Sequence, residues 1–318
     1  MRLIRGYHNL RPEHRGTLAT IGNFDGVHLG HQAVFRELIR RARSQGLPAT
    51  VVTFEPQPQE WFAPESAPAR ITRLREKLEA IGACGMDQVL VLEFNPQLAA
   101  MEAEAFTRRI LARDLGVRHL LVGDDFRFGR GRRGDFALLR RLGGELGFGV
   151  SDLHTIRHAQ DRVSSTRIRR ALADGDLDTA HALLGRPYRI AGRVGHGHKR
   201  GRRIGFPTAN LDLRRRVSPV RGVFAVRVHG LGETPWPGVA NVGDRPVLKG
   251  DARFLLEVHL FDFAGDLYGR HLQVELVQRL RDERPFDSFE SLRRQIELDA
   301  AEARARLGAA SASLPLST

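Results

Sequence analysis

The chain has 318 residues, 42% of them hydrophobic, and its 50 basic against 37 acidic side chains give a net charge of +13 and a pI near 11.1. That length leaves room for about two domains of roughly 150 residues each, while a lone cysteine, Cys84, excludes an internal disulfide and fits a reducing compartment. Met1 to Leu10 lacks the apolar core of a signal peptide and no apolar run reaches membrane-spanning length, so a soluble, cytoplasmic protein is expected. The positive balance favours anionic partners. Lysine, however, occurs only at Lys77, Lys199 and Lys249, so arginine carries nearly all of the charge, a skew that codon usage also produces.

The first element is a short apolar strand, Gly16 to Ile21, followed by the turn Gly22-Asn23-Phe24-Asp25-Gly26-Val27-His28-Leu29-Gly30-His31. From Gln32 to Ala42 the apolar positions Ala33, Val34, Leu38, Ile39 and Ala42 fall on one helix face. A strand-to-helix turn presents free N–H groups and the positive end of the helix dipole, a natural seat for phosphate. His28 and His31 can face a polyphosphate together and stabilise charge as pyrophosphate leaves. A zinc site is disfavoured because neither an HExxH pattern nor a cysteine pair is present.

A second buried strand, Ala49 to Phe54, runs into the proline-rich stretch Glu55 to Phe62, expected to continue neither strand nor helix. Helical spacing then covers Arg70 to Ile81, an apolar strand Gln88 to Leu92, a helix Met101 to Leu115 and a strand His119 to Val122. The loop Gly123 to Arg130, a helix Phe136 to Leu146 and a strand Gly149 to His154 complete the pattern. Strands alternating with helices predict a parallel sheet covered on both faces, with ligands beyond the carboxyl ends of its strands. The loops 22–31, 54–60 and 123–130 all lie at that end. Next, Val163-Ser164-Ser165-Thr166-Arg167-Ile168-Arg169 combines a good N-cap with hydroxyls and arginines, which reads as a phosphate clamp beside the histidine turn.

These segments resemble the nucleotidyl-transferase signature and, in this long form, the adenylyltransferase half of the bifunctional riboflavin kinase/FAD synthetase family. Val52-Thr53-Phe54-Glu55-Pro56-Gln57-Pro58 matches that family's V-x-F-x-P-H-P, with Gln57 in place of histidine, and Val122 to Gly129 matches V-G-x-D-F-x-F-G. The resemblance implies ATP and phosphate binding by Gly22, Phe24, Gly30, Ser165, Thr166 and Arg169, flavin binding by Asp125, and catalysis by His28 and His31.

Helical residues 174–184 end at Leu184-Gly185-Arg186-Pro187, a helix stop that places a domain boundary after residue 185. Beyond it, short branched and aromatic runs at 188–194, 222–228, 238–242, 254–261 and 272–277 are punctuated by Gly and Pro, the texture of an antiparallel β-barrel or sandwich. The glycine-rich basic run Gly195 to Arg203 suits a phosphate-covering loop but is not a Walker loop; taken alone it would also suit nucleic acid. The element that follows, Gly205-Phe206-Pro207-Thr208-Ala209-Asn210, resembles the riboflavin kinase P-T-A-N signature, which implies that Thr208 and Asn210 bind Mg²⁺. Both offer hard oxygen ligands. In Leu256-Glu257-Val258-His259-Leu260, strand alternation places Glu257 and His259 on one face. The resemblance makes Glu257 the base that takes the proton of the riboflavin 5′-hydroxyl. It also implies a phosphate loop through Gly195, Gly197, Lys199, Gly201 and Arg202, and flavin or nucleotide contacts by Asn241 and Arg281. The turn beginning at Asn241 matches N-x-G-x-R-P, with Val247 where threonine is usual.

The expected architecture is α/β: a Rossmann-like nucleotidyl-transferase domain with a parallel sheet over residues 1–185, an antiparallel β-barrel over 186–307 closed by a helix at Ser291 to Arg306, and a disordered tail over 308–318. The resemblance implies phosphorylation of riboflavin to FMN in the barrel and adenylylation of FMN to FAD in the sheet domain, with ATP as co-substrate and Mg²⁺ as cofactor. The expected partners are riboflavin, FMN and ATP, with neither membrane nor nucleic acid, in a monomer or weak homo-oligomer. Retention of only one activity, or nucleic-acid binding through the basic surface, are the competing readings.

Overall fold

A computed structural model describes residues 1–123, 126–153, 157–158, 161–196, 205–213, 217–245 and 253–312. The chain divides into two compact units: Met1–Pro68 with Thr72–Ser165, and Ala69–Ile71 with the chain from Thr166 onward.

The first unit is built on a six-stranded sheet in the order β1-β4-β3-β2-β5-β6, with every pairing parallel. Its strands are β1 (Arg2–Arg5), β2 (Thr17–Ile21), β3 (Ala49–Glu55), β4 (Gln88–Glu93), β5 (Val117–Gly123) and β6 (Gly149–Leu153). Strand alternation splits the apolar side chains between two cores. On one face Leu18, Val51, Val89, Val91 and Leu121 pack with Phe35, Leu38 and Ala42 of α1 (Leu29–Ser44) and Ile81 of α3 (Leu74–Ala83). On the other, Ala19, Ile21, Val52, Leu90 and Leu120 pack with Phe106, Ile110, Leu111 and Leu139. Leu139 lies on α6 (Phe136–Leu146), which is capped by the Asp135 carboxylate accepting from Leu138 N–H at 2.9 Å. Strand order reverses between β2 and β5, so the turn after β2 sits at the topological switch point, where such sheets accept ligands.

Three details differ from the sequence reading. The proline-rich stretch contains a one-turn helix, α2 (Pro58–Phe62), because Pro58 stands at a first helical position, where its missing N–H costs nothing. The helix expected over Met101 to Leu115 follows a separate single turn, α4 (Pro96–Ala99), and forms as α5 (Ala103–Phe106) continuing in π winding through Thr107–Asp114, where Leu115 N–H reaches the Ile110 carbonyl at 2.9 Å. Strand β1 was not expected. The two-residue strands β7 (Arg157–His158) and β8 (Asp161–Arg162) pair with each other.

Helix α7 (Ser165–Asp174), which enters the second unit after its first residue, and α8 (Leu177–Leu184) precede a closed six-stranded antiparallel barrel in the order β10-β13-β12-β11-β14-β9. Its strands are β9 (Arg189–Gly195), β10 (Ala209–Asp212), β11 (Gly222–His229), β12 (Trp236–Arg245), β13 (Arg253–Leu260) and β14 (His271–Arg281). Along β11 the fully buried Phe224, Val226 and Val228 fill the interior, whereas Val223 and Ala225 pack outward against Ala300, Ala303 and Leu307 of α9 (Phe289–Ala312). Helix α9 is thus the element that covers the barrel. It runs through residues 308–312, where a tail was expected, because Ala309, Ala310 and Ala312 favour the helix. Residues 313–318 lie outside the described residues.

Candidate active sites

Within the first unit, the chain leaves buried β2 and makes its turn with Phe24 and Val27 at φ of 48° and 44°, conformations unusual for side chains of that bulk. Buried hydrogen bonds hold this strain in place. The Asp25 carboxylate, 2% exposed, accepts from Thr72 N at 2.9 Å and Thr72 Oγ1 at 3.1 Å, and Thr72 Oγ1 accepts from Gly26 N at 2.9 Å. The Ser165 hydroxyl donates to the Asp25 carbonyl at 3.0 Å, and Gln32 Nε2 donates to the Val27 carbonyl at 2.9 Å. Replacing Asp25 by alanine strands two buried donors, a loss of about 3 kcal/mol, and is expected to lower this unit's thermal midpoint by roughly 6–12 °C. Calorimetry of the full chain checks this; an unshifted transition would mean that the turn does not depend on the carboxylate.

His28 is the N-cap of α1: its Nδ1 accepts from His31 N–H at 3.3 Å, so in the neutral ring the proton sits on Nε2. The two imidazoles stack with centroids 3.6 Å apart, and Phe24 meets His31 edge-on at 5.1 Å. Gly22 and Gly30 make room for these rings. A Cβ on Gly22 would lie 3.0 Å from the Phe24 ring, and one on Gly30 would lie 3.1 Å from His28. The turn after β2 is tied to strand β3 where Thr53 Oγ1 donates to the Asn23 carbonyl at 3.4 Å. Gln57, at the histidine position of the family pattern, is buried and holds the start of α2 through its N–H to Glu60 at 2.9 Å. Phe128 is buried and stacks on Phe126 at 5.4 Å, so this pair serves the core. Asp125 lies outside the described residues. Ser165 joins the histidine turn, whereas Thr166 and Arg169 belong to the second unit, where Arg169 Nε donates to the Ala69 carbonyl at 2.7 Å.

In the barrel, one row of register partners crosses all six strands. Gly195 faces Asn210, Asn210 faces Glu257, Glu257 faces Asn241, Asn241 faces Val223, and Val223 faces Arg281. Partners in such a row share a face of the sheet with Cβ atoms about 5 Å apart. Since Val223 packs under α9, the row lies on the outer wall, and β13 alternates accordingly: Leu256, Val258 and Leu260 are buried while Glu257 and His259 are not. The row gathers Gly195, Asn210, Glu257, Asn241 and Arg281 from five strands. Thr208 stands exposed just before β10, and Asn210 Nδ2 donates to its carbonyl at 3.3 Å. Gly197, Lys199, Gly201 and Arg202 lie outside the described residues, as does Val247.

One residue here, Asp299, went unnoticed in the sequence, whereas its partner Arg281 was an expected contact. Arg281 forms a two-pronged ion pair with Asp299 of α9, Nη2 to Oδ2 at 2.7 Å and Nε to Oδ1 at 2.9 Å, and its Nη1 donates to the Asp282 carbonyl at 2.8 Å. Asp299 is 5% exposed, so this guanidinium ties the helix to the barrel. Glu283 accepts from Asn241 Nδ2 at 2.9 Å and its carboxylate lies against Gly243, where a Cβ would crowd it. The signal available in the sequence was the recurrence of acidic residues in the stretch after β14 and on α9.

A doubly wound sheet with paired histidines at a helix N-terminus at its switch point, followed by a closed barrel with one carboxylate between two amides, defines a two-domain, nucleotide-using transferase. The FAD synthetase family model matches residues 10–167 and the riboflavin kinase model residues 184–307. Proteins named bifunctional riboflavin kinase/FMN adenylyltransferase are similar over nearly the whole length. That of Escherichia coli (strain K12) is 53% identical over 97% of this chain and 98% of its own, and that of Pseudomonas fluorescens 54% identical over 96% and 97%. A solved structure named Macrolide-efflux Protein from Streptococcus pneumoniae is 31% identical and covers 96% of this chain and 99% of its own, with a TM-score of 0.79. The chain belongs to the bifunctional riboflavin kinase/FMN adenylyltransferase family. Among the described residues no helix is long and apolar enough to cross a membrane.

Proposed function

We propose that residues 1–185 transfer AMP from ATP to FMN, giving FAD and pyrophosphate, and that residues 186–307 transfer the γ-phosphoryl group of ATP to riboflavin, giving FMN and ADP. One observation carries the reading: each half places its motif where its own fold presents side chains to a ligand, the histidine pair at the switch point and the carboxylate row on the barrel wall.

In the adenylyl transfer an FMN phosphate oxygen attacks the α-phosphorus and the bond to pyrophosphate breaks. The N-terminus of α1 and the ring N–H groups of His28 and His31 stabilise the charge that passes to the departing pyrophosphate. The family resemblance assigns ATP and phosphate binding to Gly22, Phe24, Gly30, Ser165, Thr166 and Arg169, and flavin binding to Asp125. In the phosphorylation, Glu257 takes the proton of the riboflavin 5′-hydroxyl as its oxygen attacks the γ-phosphorus and ADP departs. The resemblance assigns a phosphate loop to Gly195, Gly197, Lys199, Gly201 and Arg202, and flavin or nucleotide contacts to Asn241 and Arg281.

Thr208 and Asn210 fit Mg²⁺. The Asn210 amide donates through Nδ2 to the Thr208 carbonyl and Thr208 is exposed, so the Asn210 Oδ1 and the Thr208 hydroxyl are both hard oxygen donors suited to such an ion. When bound there, the ion would offset charge on the phosphate oxygens. A single cysteine and bacterial relatives are consistent with a cytoplasmic enzyme. Separation of products after incubating the purified chain with riboflavin, ATP and MgCl₂ tests the whole reading: FMN appears first and FAD later. FMN alone, with supplied FMN left unconverted, would silence the N-terminal assignment. Failure to form either product would overturn both.

A further inference from the structure

The turn that carries Thr208 leaves its Pro207 carbonyl off the barrel ladder, because strand pairing begins only at Ala209. That carbonyl accepts from His259 Nδ1 at 2.9 Å, across 52 residues of sequence. A carbonyl can only accept, so His259 carries its proton on Nδ1. The ring is fixed edge-on between two aromatics: Phe206, with centroids 5.1 Å apart, and Phe261, at 5.9 Å. Phe206 is itself packed against the cluster beneath α9. His259 stands on β13 two residues from Glu257 and on the same face. The next carbonyl, that of Thr208, is held by Asn210. Both carbonyls of the turn are therefore tied down, and its side-chain oxygens are what remain to meet a ligand.

We propose that His259 is a positioning residue of the kinase site: through its Nδ1–H it fixes the Pro207–Thr208 turn on β13, and so sets the pose of the Thr208 and Asn210 oxygens for a divalent cation. The inference rests on the assignment of riboflavin phosphorylation to this domain. Groups that orient the residues holding a metal typically carry 10–100-fold of its affinity. The Mg²⁺ concentration for half-maximal riboflavin phosphorylation is therefore expected to rise about 10-fold or more in His259→Phe. That variant keeps an aromatic ring between Phe206 and Phe261 but has no donor. In His259→Asn the amide Nδ2 takes the place of the imidazole Nδ1, and the Mg²⁺ requirement should return most of the way.

Calorimetric titration of ADP with and without Mg²⁺ supplies a readout apart from turnover: the gain in ADP affinity on adding Mg²⁺ should shrink in His259→Phe and recover in His259→Asn. Near-ultraviolet circular dichroism of Trp236, which lies on β12 of the same barrel, reports that each variant is folded around position 259, and conversion of supplied FMN to FAD reports the other unit. An unchanged Mg²⁺ requirement in His259→Phe would overturn the proposal. So would equal losses in both variants with no change in Mg²⁺-dependent ADP affinity, since that is the behaviour of a packing residue. If the unaltered chain phosphorylates no riboflavin, the fault lies with the domain assignment instead.

Discussion

His31→Ala is expected to lower the rate of FAD formation from supplied FMN by about 10²–10³-fold, the usual cost of removing one donor aimed at developing charge. The substitution is unusually clean. The backbone N–H of residue 31 reaches the Nδ1 of His28, and alanine keeps that group. Alanine is also the best helix former, so the first turn of α1 persists. What disappears is the ring stacked 3.6 Å from His28 and edge-on to Phe24. Riboflavin phosphorylation should hold its rate, because the carboxylate row belongs to the other unit. A parallel fall of both activities in a folded protein would break the assignment of one reaction to each half.

The mirror experiment is Glu257→Gln. Glutamine matches the volume of glutamate and keeps a polar group between Asn210 and Asn241, so the row and the buried neighbours Leu256 and Val258 are undisturbed. It cannot take a proton. Riboflavin phosphorylation should fall by about 10²–10⁴-fold, mostly in kcat with little change in the KM for flavin. Conversion of supplied FMN should continue at the unaltered rate. Retention of more than about a tenth of the phosphorylation rate would remove Glu257 from the role of base.

What the sequence disclosed follows from how local each feature is. The β2–turn–α1 unit was legible because strand, turn and helix lie within 28 residues and carry their own periodicity. The outward face of β13 was legible for the same reason: Leu256, Val258 and Leu260 alternate with Glu257 and His259. Strand β1 escaped because only Ile4 of its four residues is buried, so it has no pattern of its own and exists by pairing with β4. Strand β10 escaped because its first residues read as the end of a nucleotide motif and it is only four residues long. The supports of the two sites were out of reach for another reason. Asp25 meets Thr72 47 residues away, Asn241 meets Glu283 42 away, and Arg281 meets Asp299 18 away. No periodicity announces such pairs; only the fold closes the distance.

The barrel's closure has one more consequence, which concerns insertions and deletions. Whether a residue of β13 faces the lipid-like interior or the wet outer wall is a matter of odd or even position, so losing one residue upstream of Glu257 would turn the carboxylate inward and a leucine outward. In an open sheet an edge strand can slide to repair such an error. Here every strand has neighbours on both sides, and sliding one breaks two ladders at once. The kinase half should therefore accept length changes in the loops between strands and almost none within them, so that the spacing of its site is fixed by parity as much as by chemistry.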